Sequence, residues 1–588
     1  MKTFHLLIFF LTGLIATETK GQAAINRMIV GNSFMERPFD GGVPARVIHN
    51  ADYTISACFP YWNDNASGNR FVAYNYFDGQ NWGMPDTLGI PVTIREPALA
   101  ITSSNREIIV AEHDSNLCLF TRPVKGVGQW TLQYNIFGSS FRADASPRII
   151  AAGATTESVH IICNGGGNFN YPVNGQTHPI LYSRSDDGGL TWTLQDVPLS
   201  SIDMNYYRGF RKGSYNIDAK GDVVAIVFAD PITDVGLLKS TDNGNTWTKT
   251  IISQFPISMF DPSTTISDVN NDGIADTITT SSGDPFVLVD FHGICHVFFS
   301  KLKIVCTTPG TGVGEGVQVD PYSDGLMYWN ETMGAQPPIE IAHALDYNGN
   351  GILDFPSDQT CSLPFGNYGG GLTQFPSATI DQNDQMVVLY QTIDETADTT
   401  LWHQAHRHVY SLTGNSGGNF SAPFEILASI AQGGDGENEE AVMGCVSRNL
   451  NMNTPVILYQ DDPYPGTASG VSCDSLNNVH NSDDIICSFL NVGLNSIQVA
   501  VDNGALSIFP AIASPADQIS ISGLSAGKYS CRIYNLMGEI EQQFSFNVEA
   551  TGKYVLPFAQ SSISPGLHLV EVKSTSQTRY GRFVKSSN

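Results

Sequence analysis

Two nine-residue loops place oxygen-bearing side chains at a spacing that suits a hard metal ion. Both follow Asp-x-Asn-x-[Asp/Asn]-Gly-x-x-Asp. The first holds Asp268, Asn270, Asp272, Gly273 and Asp276; the second holds Asp346, Asn348, Asn350, Gly351 and Asp354. Calcium takes about six to eight oxygen ligands. Side-chain oxygens at positions one, three, five and nine would wrap one ion, joined at position seven by the main-chain carbonyl of Ile274 or Ile352. Glycine at position six allows the sharp turn, and the apolar residue at seven is expected to pack inward. Position twelve is Thr279 in one loop and Ser357 in the other, so neither loop has the closing Glu of an EF-hand. Calcium is therefore expected here, in a structural role. The alternative is an Asp/Asn/Gly turn closed by its own hydrogen bonds.

A second pattern mixes acids, hydroxyls and tryptophan. Ser185-x-Asp187-x-Gly189-x-Thr191-Trp192 recurs as Ser240-x-Asp242-x-Gly244-x-Thr246-Trp247. Acid beside tryptophan is a feature of sugar sites. At this spacing, however, the acid and hydroxyls can accept the N–H groups of a tight turn, and glycine supplies positive φ. The reading is structural. Weaker copies at 77–82, 126–130 and 414–420 keep a glycine and an aromatic but lose the Ser/Asp pair. Arg95, Arg148, Arg208 and Arg211, with Glu96, Asp230 and Asp261, stand at the starts or ends of apolar runs. There they can reach a shared face. Two carboxylates about 5–9 Å apart would serve glycoside hydrolysis, a separation that only a structure supplies.

The elements positioning these residues repeat. Short apolar strands separated by polar turns form about seven units, near 50–90, 95–133, 146–196, 213–252, 284–342, 376–427 and 440–492; the first and fifth are less sharply drawn. All-β repeats of this length predict a propeller of six or seven blades. From residue 494 the texture changes to short alternating strands with turn signals, the pattern of a small Ig-like β-sandwich. The expected division is 1–21, 22–493 and 494–588.

The S-x-D-x-G-x-T-W turn resembles the Asp-box of sialidase-like (BNR-repeat) β-propellers. That resemblance implies a hairpin between the third and fourth strands of a blade, with the tryptophan packed beneath it. Catalytic members of that family use an arginine triad, a Tyr/Glu nucleophile pair and an acidic Asp. Their opening Arg-Ile-Pro motif is missing here, where ERPF (36–39) and PARV (44–47) stand instead. The oxygen-rich loops resemble calcium hairpins of integrin-type propellers and dockerin-like segments. The tail resembles the sorting domain of the type IX secretion system through LSIFP (506–510), AGKYSCRIYNLMGE (526–539), GLHLVEVKS (566–574) and RFVK (582–585). It departs from that family's Tyr-Pro-Asn-Pro opening and its G-x-Y closing strand. The resemblance implies export across an outer membrane by that machinery.

Composition narrows the function. The formal net charge is −27 in 588 residues, without the basic footprint a nucleic-acid partner requires. The start, MKTFHLLIFFLTGLIATETKGQAA, has one lysine, an apolar run too short to span a bilayer and a small-residue stretch: a secretory signal peptide, with cleavage expected near Gly21-Gln22. No later apolar run is long enough for a transmembrane segment. An exported protein can hold disulfides, and Cys473–Cys487 and Cys295–Cys306 are candidate pairs. Cys58, Cys118, Cys163 and Cys445 sit in strand-like runs and read as buried thiols. The expected protein is secreted or on the outer cell surface, with a glycan- or protein-binding, adhesive role. The alternatives are an exo-acting glycoside hydrolase of sialidase-like architecture and a purely structural surface component.

Overall fold

The computed structural model describes residues 26–585, apart from 63–69, 138–144, 167–172, 311–315, most of 347–362, 394–403, 427–439, 467–481, 491–506, 535–539, 557–562 and a few shorter stretches. The expected signal peptide, residues 1–21, lies outside the described residues. The chain divides into two compact units, Met1–Leu494 and Asn495–Asn588. Nearly every described element is a strand, and the two helical turns, Ser200–Ile202 and Glu331–Met333, are single 3-10 turns.

In the first unit the described strands form seven antiparallel sheets, which are the blades of a propeller. Blades 1 to 6 are consecutive in sequence, with inner strands Val47–His49, Ile94–Ile101, Arg148–Ala152, Tyr215–Lys220, Phe286–Val289 and Gln374–Ile380. Blade 7 takes its three inner strands from Glu440–Val446, Val456–Asp462 and Asp483–Phe489. Its outermost strand is Asn26–Ser33, from the other end of the unit. Each inner strand packs against the next, and Val47–His49 meets blade 7, so the ring closes.

This geometry explains the apolar pattern. The central strands of a blade are covered on both faces by neighbouring blades and therefore read as continuous apolar runs. Ser158–Asn164 and Val456–Asp462 are buried along their whole length. The outermost strands have one covered face, and burial alternates along Leu194–Pro198. Aromatics at the outer turns lock adjacent blades. Trp247 of blade 4 meets Tyr182 of blade 3 edge-on at 5.2 Å, and Trp130 of blade 2 meets Tyr74 of blade 1 at 5.0 Å.

The candidate disulfides do not form. Cys295 and Cys306 are free and buried. Cys295 opens the strand Cys295–Val305 and Cys306 follows its end, so about 35 Å of extended chain separates them. Cys487 is also free and buried within blade 7, and Cys473 lies outside the described residues. Cys58, Cys118, Cys163 and Cys445 are buried thiols.

The second unit is a two-sheet sandwich. One sheet orders Ser507–Phe509, Ser520–Leu524 and Gly552–Val555. The other orders Ile512–Ala513, Thr578–Lys585, Gly566–Lys573, Gly527–Tyr534 and Ile540–Val548. Ile521, Cys531, Ile533, Phe546 and Val570 belong to the core between them. No helix among the described residues is long and apolar enough to cross a membrane.

Candidate functional site

The propeller axis is where converging inner strands would build a central pocket. Here it is filled by the chain itself. Residues 39–46, Phe-Asp-Gly-Gly-Val-Pro-Ala-Arg, link the strand that closes blade 7 to the inner strand of blade 1. On the way they touch every other blade. Ala45 O accepts the N–H of Leu99 in blade 2 at 2.7 Å. Gly42 O accepts Arg148 Nε of blade 3 at 2.8 Å, and Val43 O accepts Asn216 Nδ2 of blade 4 at 2.8 Å. Gly42 lies against the Pro285 carbonyl at the start of blade 5. Phe39 meets Phe375 of blade 6 edge-on, with centroids 5.6 Å apart. Arg46 donates to Met443 O of blade 7, and Cys445 Sγ donates to Pro44 O at 3.3 Å. A segment hydrogen-bonded to blades 2, 3, 4 and 7, and in contact with blades 5 and 6, occupies the axis.

The inner strands deform to admit it. Glu96, Ser146, Phe375 and Met443 take φ between 43° and 56°, and three of these strands change register there. Such backbone costs about 1–3 kcal/mol per residue and persists only where the surroundings enforce it.

This arrangement separates the seven charged residues picked out in the sequence. Arg148 is fully buried and holds the main-chain carbonyls of Asp40 and Gly42. Glu96 binds Lys212 Nζ at 2.5 Å and also Ser146 Oγ. Arg95 pairs with Glu112 at 2.5 Å. Burial works against the charges of Lys212 and Glu96. Their mutual attraction outweighs it, holding the lysine above and the carboxyl below the usual range. Of these groups, Arg148 and Lys212, the latter 3.4 Å from the Asp40 carboxylate, hold the axial segment directly. A hydrogen-bonded tyrosine–glutamate pair does exist, Tyr368 with Glu440. Both side chains are buried, and Arg407 beside them donates to the carbonyls of Gly366, Gly371 and Leu372.

Arg208, Arg211, Asp230 and Asp261 come together elsewhere. They line a cleft of about 290 Å³ beside the axis, formed by the chain leading into blade 4, the turn at 230–234 and the chain leading into blade 5. Tyr206, Tyr207, Phe210, Phe255, Met259 and Phe260 supply much of its wall. Tyr206 is 52 % exposed and carries Lys249 Nζ 3.9 Å from its ring centroid. Arg208 pairs with Asp261 at 2.8 Å and is 47 % exposed. Burial pushes the Asp261 carboxyl up, but Ser263 and Arg208 hold it below its ordinary value. Asp230 accepts the N–H groups of Arg211 and Ile232, at 2.5 and 3.0 Å. Asp234 accepts Tyr207 Oη and the Phe255 N–H, both at 2.7 Å. Tyr206, Tyr207, Phe210 and Lys212 were not singled out in the sequence, although NYYRGFRK (205–212) is a dense aromatic and basic run in an acidic chain.

The two S-x-D-x-G-x-T-W turns join the third and fourth strands of blades 3 and 4. In the first, Asp187 accepts the N–H groups of Leu190 and Thr191, Thr191 Oγ1 and Ser185 Oγ at 2.6–3.0 Å. Ser185 Oγ also accepts the Gly189 N–H at 2.8 Å. In the second, Asp242 and Ser240 repeat the pattern with Asn245, Thr246 and Gly244. The Thr246 N–H and hydroxyl, then Ser240, lower the Asp242 pKa to about 2. Trp192 packs edge-on against Phe137 at 4.8 Å. Gly244 has φ +80°, and a Cβ there would lie 1.9 Å from Tyr182 Oη.

The loop 268–276 also turns its oxygens inward on its own backbone. Asp268 accepts the N–H groups of Asp272 and Gly273, at 3.1 and 2.8 Å. Asn270 accepts Asp272 N–H, Asp272 accepts Ile274 N–H, and Asp276 accepts Val269 N–H. Ile274 does not pack inward: it is 69 % exposed, because the loop is exposed and has no core behind it. Among the described residues no group of three or more His, Cys, Asp or Glu side chains is disposed to hold a metal ion. The oxygens are of the kind calcium takes, but as folded they do not form a completed cage. In the second loop Asp346 and Asn350 are described; Asn348, Ile352 and Asp354 lie outside the described residues.

No protein-family model matches the chain, and no curated protein matches it. Solved structures match at low identity. A PL25 polysaccharide lyase, an ulvan lyase, is 9 % identical with a TM-score of 0.42, over 79 % of this chain and 96 % of that one. The intramolecular trans-sialidase from Ruminococcus gnavus, in complex with oseltamivir carboxylate, is 11 % identical with a TM-score of 0.35, over 79 % and 96 %. PorZ, a surface component of the type-IX secretion system of Porphyromonas gingivalis, is 12 % identical with a TM-score of 0.39, over 94 % and 61 %.

Proposed function

We propose that this chain is an extracellular binding propeller that contacts glycan through the cleft beside its axis and carries out no glycosidase chemistry at the axis. One observation carries the reading: residues 39–46 fill the place where a sialidase-type central site would be, while an open, aromatic-lined cleft lies between blades. The cleft's carboxylates hold turns and an arginine, so no acid–base pair of the kind a glycosidase uses stands ready there. The test combines a glycan array with a panel of fluorogenic glycosides, sialosides included. Retention on the array without turnover, lost in Tyr206→Ala, is the expected result. Turnover of any glycoside by purified protein overturns the reading.

The tail at 494–588 supports a second part of the proposal, export through the type IX machinery with the tail as sorting signal. In a host with that system, deleting the tail should leave the propeller in the periplasm; release at the normal level contradicts it. Calcium at 268–276 is likewise proposed. Binding would recruit Asp272 and Asp276, each of which still has one oxygen outside the loop's own hydrogen bonds.

A further inference from the structure

We infer that the cleft selects saccharides bearing an isolated carboxylate or sulfate, with Arg211 as the charge partner. This rests on the binding reading above. It follows from which charged groups in the cleft are already committed. Both oxygens of Asp230 accept backbone N–H groups. Both oxygens of Asp234 are used, by Tyr207 and Phe255. Asp261 holds Arg208 with one oxygen and Ser263 with the other. Among the cations, Lys212 is committed to Glu96 and Asp40, and Arg208 to Asp261.

Arg211 is different. It lines the cleft, it is half-buried, and its guanidinium makes no hydrogen bond or ion pair with any described residue. Its main chain is fixed on both sides, by Asp230 at its N–H and by Ser214 at its carbonyl. No Arg211 nitrogen is among the buried polar atoms that lack a partner, so its guanidinium is open to the cleft and available to an anion. Its planar fork fits a carboxylate or sulfate through two parallel hydrogen bonds.

The rest of the wall suits a sugar. Tyr206, half-exposed, gives apolar surface for the sugar's C–H faces, backed by the buried rings of Phe210, Phe255 and Phe260. Met259, 41 % exposed, is held at φ +53°, a conformation seldom adopted by unbranched side chains outside enforced sites. Net charge decides the density of anions. A chain of −27 repels polyanions, whereas screening over about 8–10 Å lets one local cation act on one local anion. The favoured ligand is therefore a sugar with well-spaced single charges. This site lies beside the axis, and Arg95 and Arg148 contribute nothing to it.

The experiment titrates the full chain and its Arg211→Ala and Arg211→Lys variants with three matched oligosaccharides: one ending in glucuronate, its sulfated counterpart and its neutral counterpart. An acidic peptide is run alongside. One charge-assisted bidentate contact predicts roughly tenfold or more preference for an anionic over the neutral sugar. Arg211→Ala should erase the preference while leaving the melting temperature nearly unchanged, because no internal hydrogen bond or ion pair is lost. Arg211→Lys should retain part of it. Whichever anionic sugar binds tighter identifies the source of the charge. Equal binding of all three sugars, unchanged in Arg211→Ala, overturns the inference and keeps the glycan reading. Binding of the acidic peptide alone overturns both, as does no binding at all. A fall in melting temperature for Arg211→Ala overturns the claim that its side chain is uncommitted.

Discussion

Gly42→Ala isolates the contribution of the axial segment. A Cβ at this position would stand 2.5 Å from Pro285 O and 2.7 Å from Tyr215 O. Both are backbone atoms, one in the inner strand of blade 4 and one just before that of blade 5, so neither can rotate aside. Gly42 is not in the left-handed region, so the effect is steric rather than conformational. Overpacking of this kind costs about 1–3 kcal/mol. Any shift of the segment also stretches the bond from buried Arg148 to Gly42 O, and a hydrogen bond to a charged group is worth about 1.5–3 kcal/mol. The expected loss is on the order of 3 kcal/mol. Urea unfolding followed by tryptophan fluorescence measures it, since all seven tryptophans precede residue 495 and report the first unit alone. Gly221→Ala is the control. Its φ is +58° with no atom within 4 Å of the new Cβ, so it carries only backbone strain of about 1–2 kcal/mol. If Gly42→Ala unfolds at the same urea concentration as wild type, or later than Gly221→Ala, the axis is not packed around residues 39–46.

Stability should fall as pH rises from 6.5 to 8.5. Burial pushes the Glu440 pKa up to about 7 and the Asp483 pKa up to about 8. Stability from groups raised above their unfolded values is complete in acid and lost as pH climbs through the folded values. The loss is on the order of 2 kcal/mol across this window. His49 and His160, lowered to about 4 by burial, act only below about pH 6.5. A urea midpoint that is flat or rising over the window, or unaffected by Glu440→Gln, contradicts this. Asp242→Ala should cost about 1–2 kcal/mol by freeing the Thr246 and Asn245 N–H groups, read as a lower melting temperature; an unchanged melt would mean the turn does not need its acid. Adding calcium to chelator-treated protein should raise the melting temperature, and Asp268→Ala should remove the rise. No response to calcium withdraws the metal from the loop.

The blades were legible because each is built from consecutive strands. Covered strands such as Val223–Ala229 advertise burial by unbroken apolar runs, and the Ser240–Trp247 turn marks the outer hairpin by residues that only that turn needs. The closing strand Asn26–Ser33 was not legible. Its partner, Asp483–Phe489, lies at the far end of the unit, and local pattern does not encode a pairing of that range. The axial segment was hidden for a related reason. ERPFDGGVPAR reads as a Gly/Pro loop, and only the surrounding ring makes its glycines obligatory and its arginine a buried donor. Arg208 and Arg211 were visible as charges at blade starts. That one is committed and the other is not depends on Asp261, fifty residues away from both.

The most direct test is a crystal structure of the chain grown with a glucuronate-bearing oligosaccharide. The sugar's carboxylate should sit on Arg211 in the cleft, with residues 39–46 still filling the axis. Sugar bound along the axis, with that segment displaced, would contradict both the binding site and the closed propeller on which it depends.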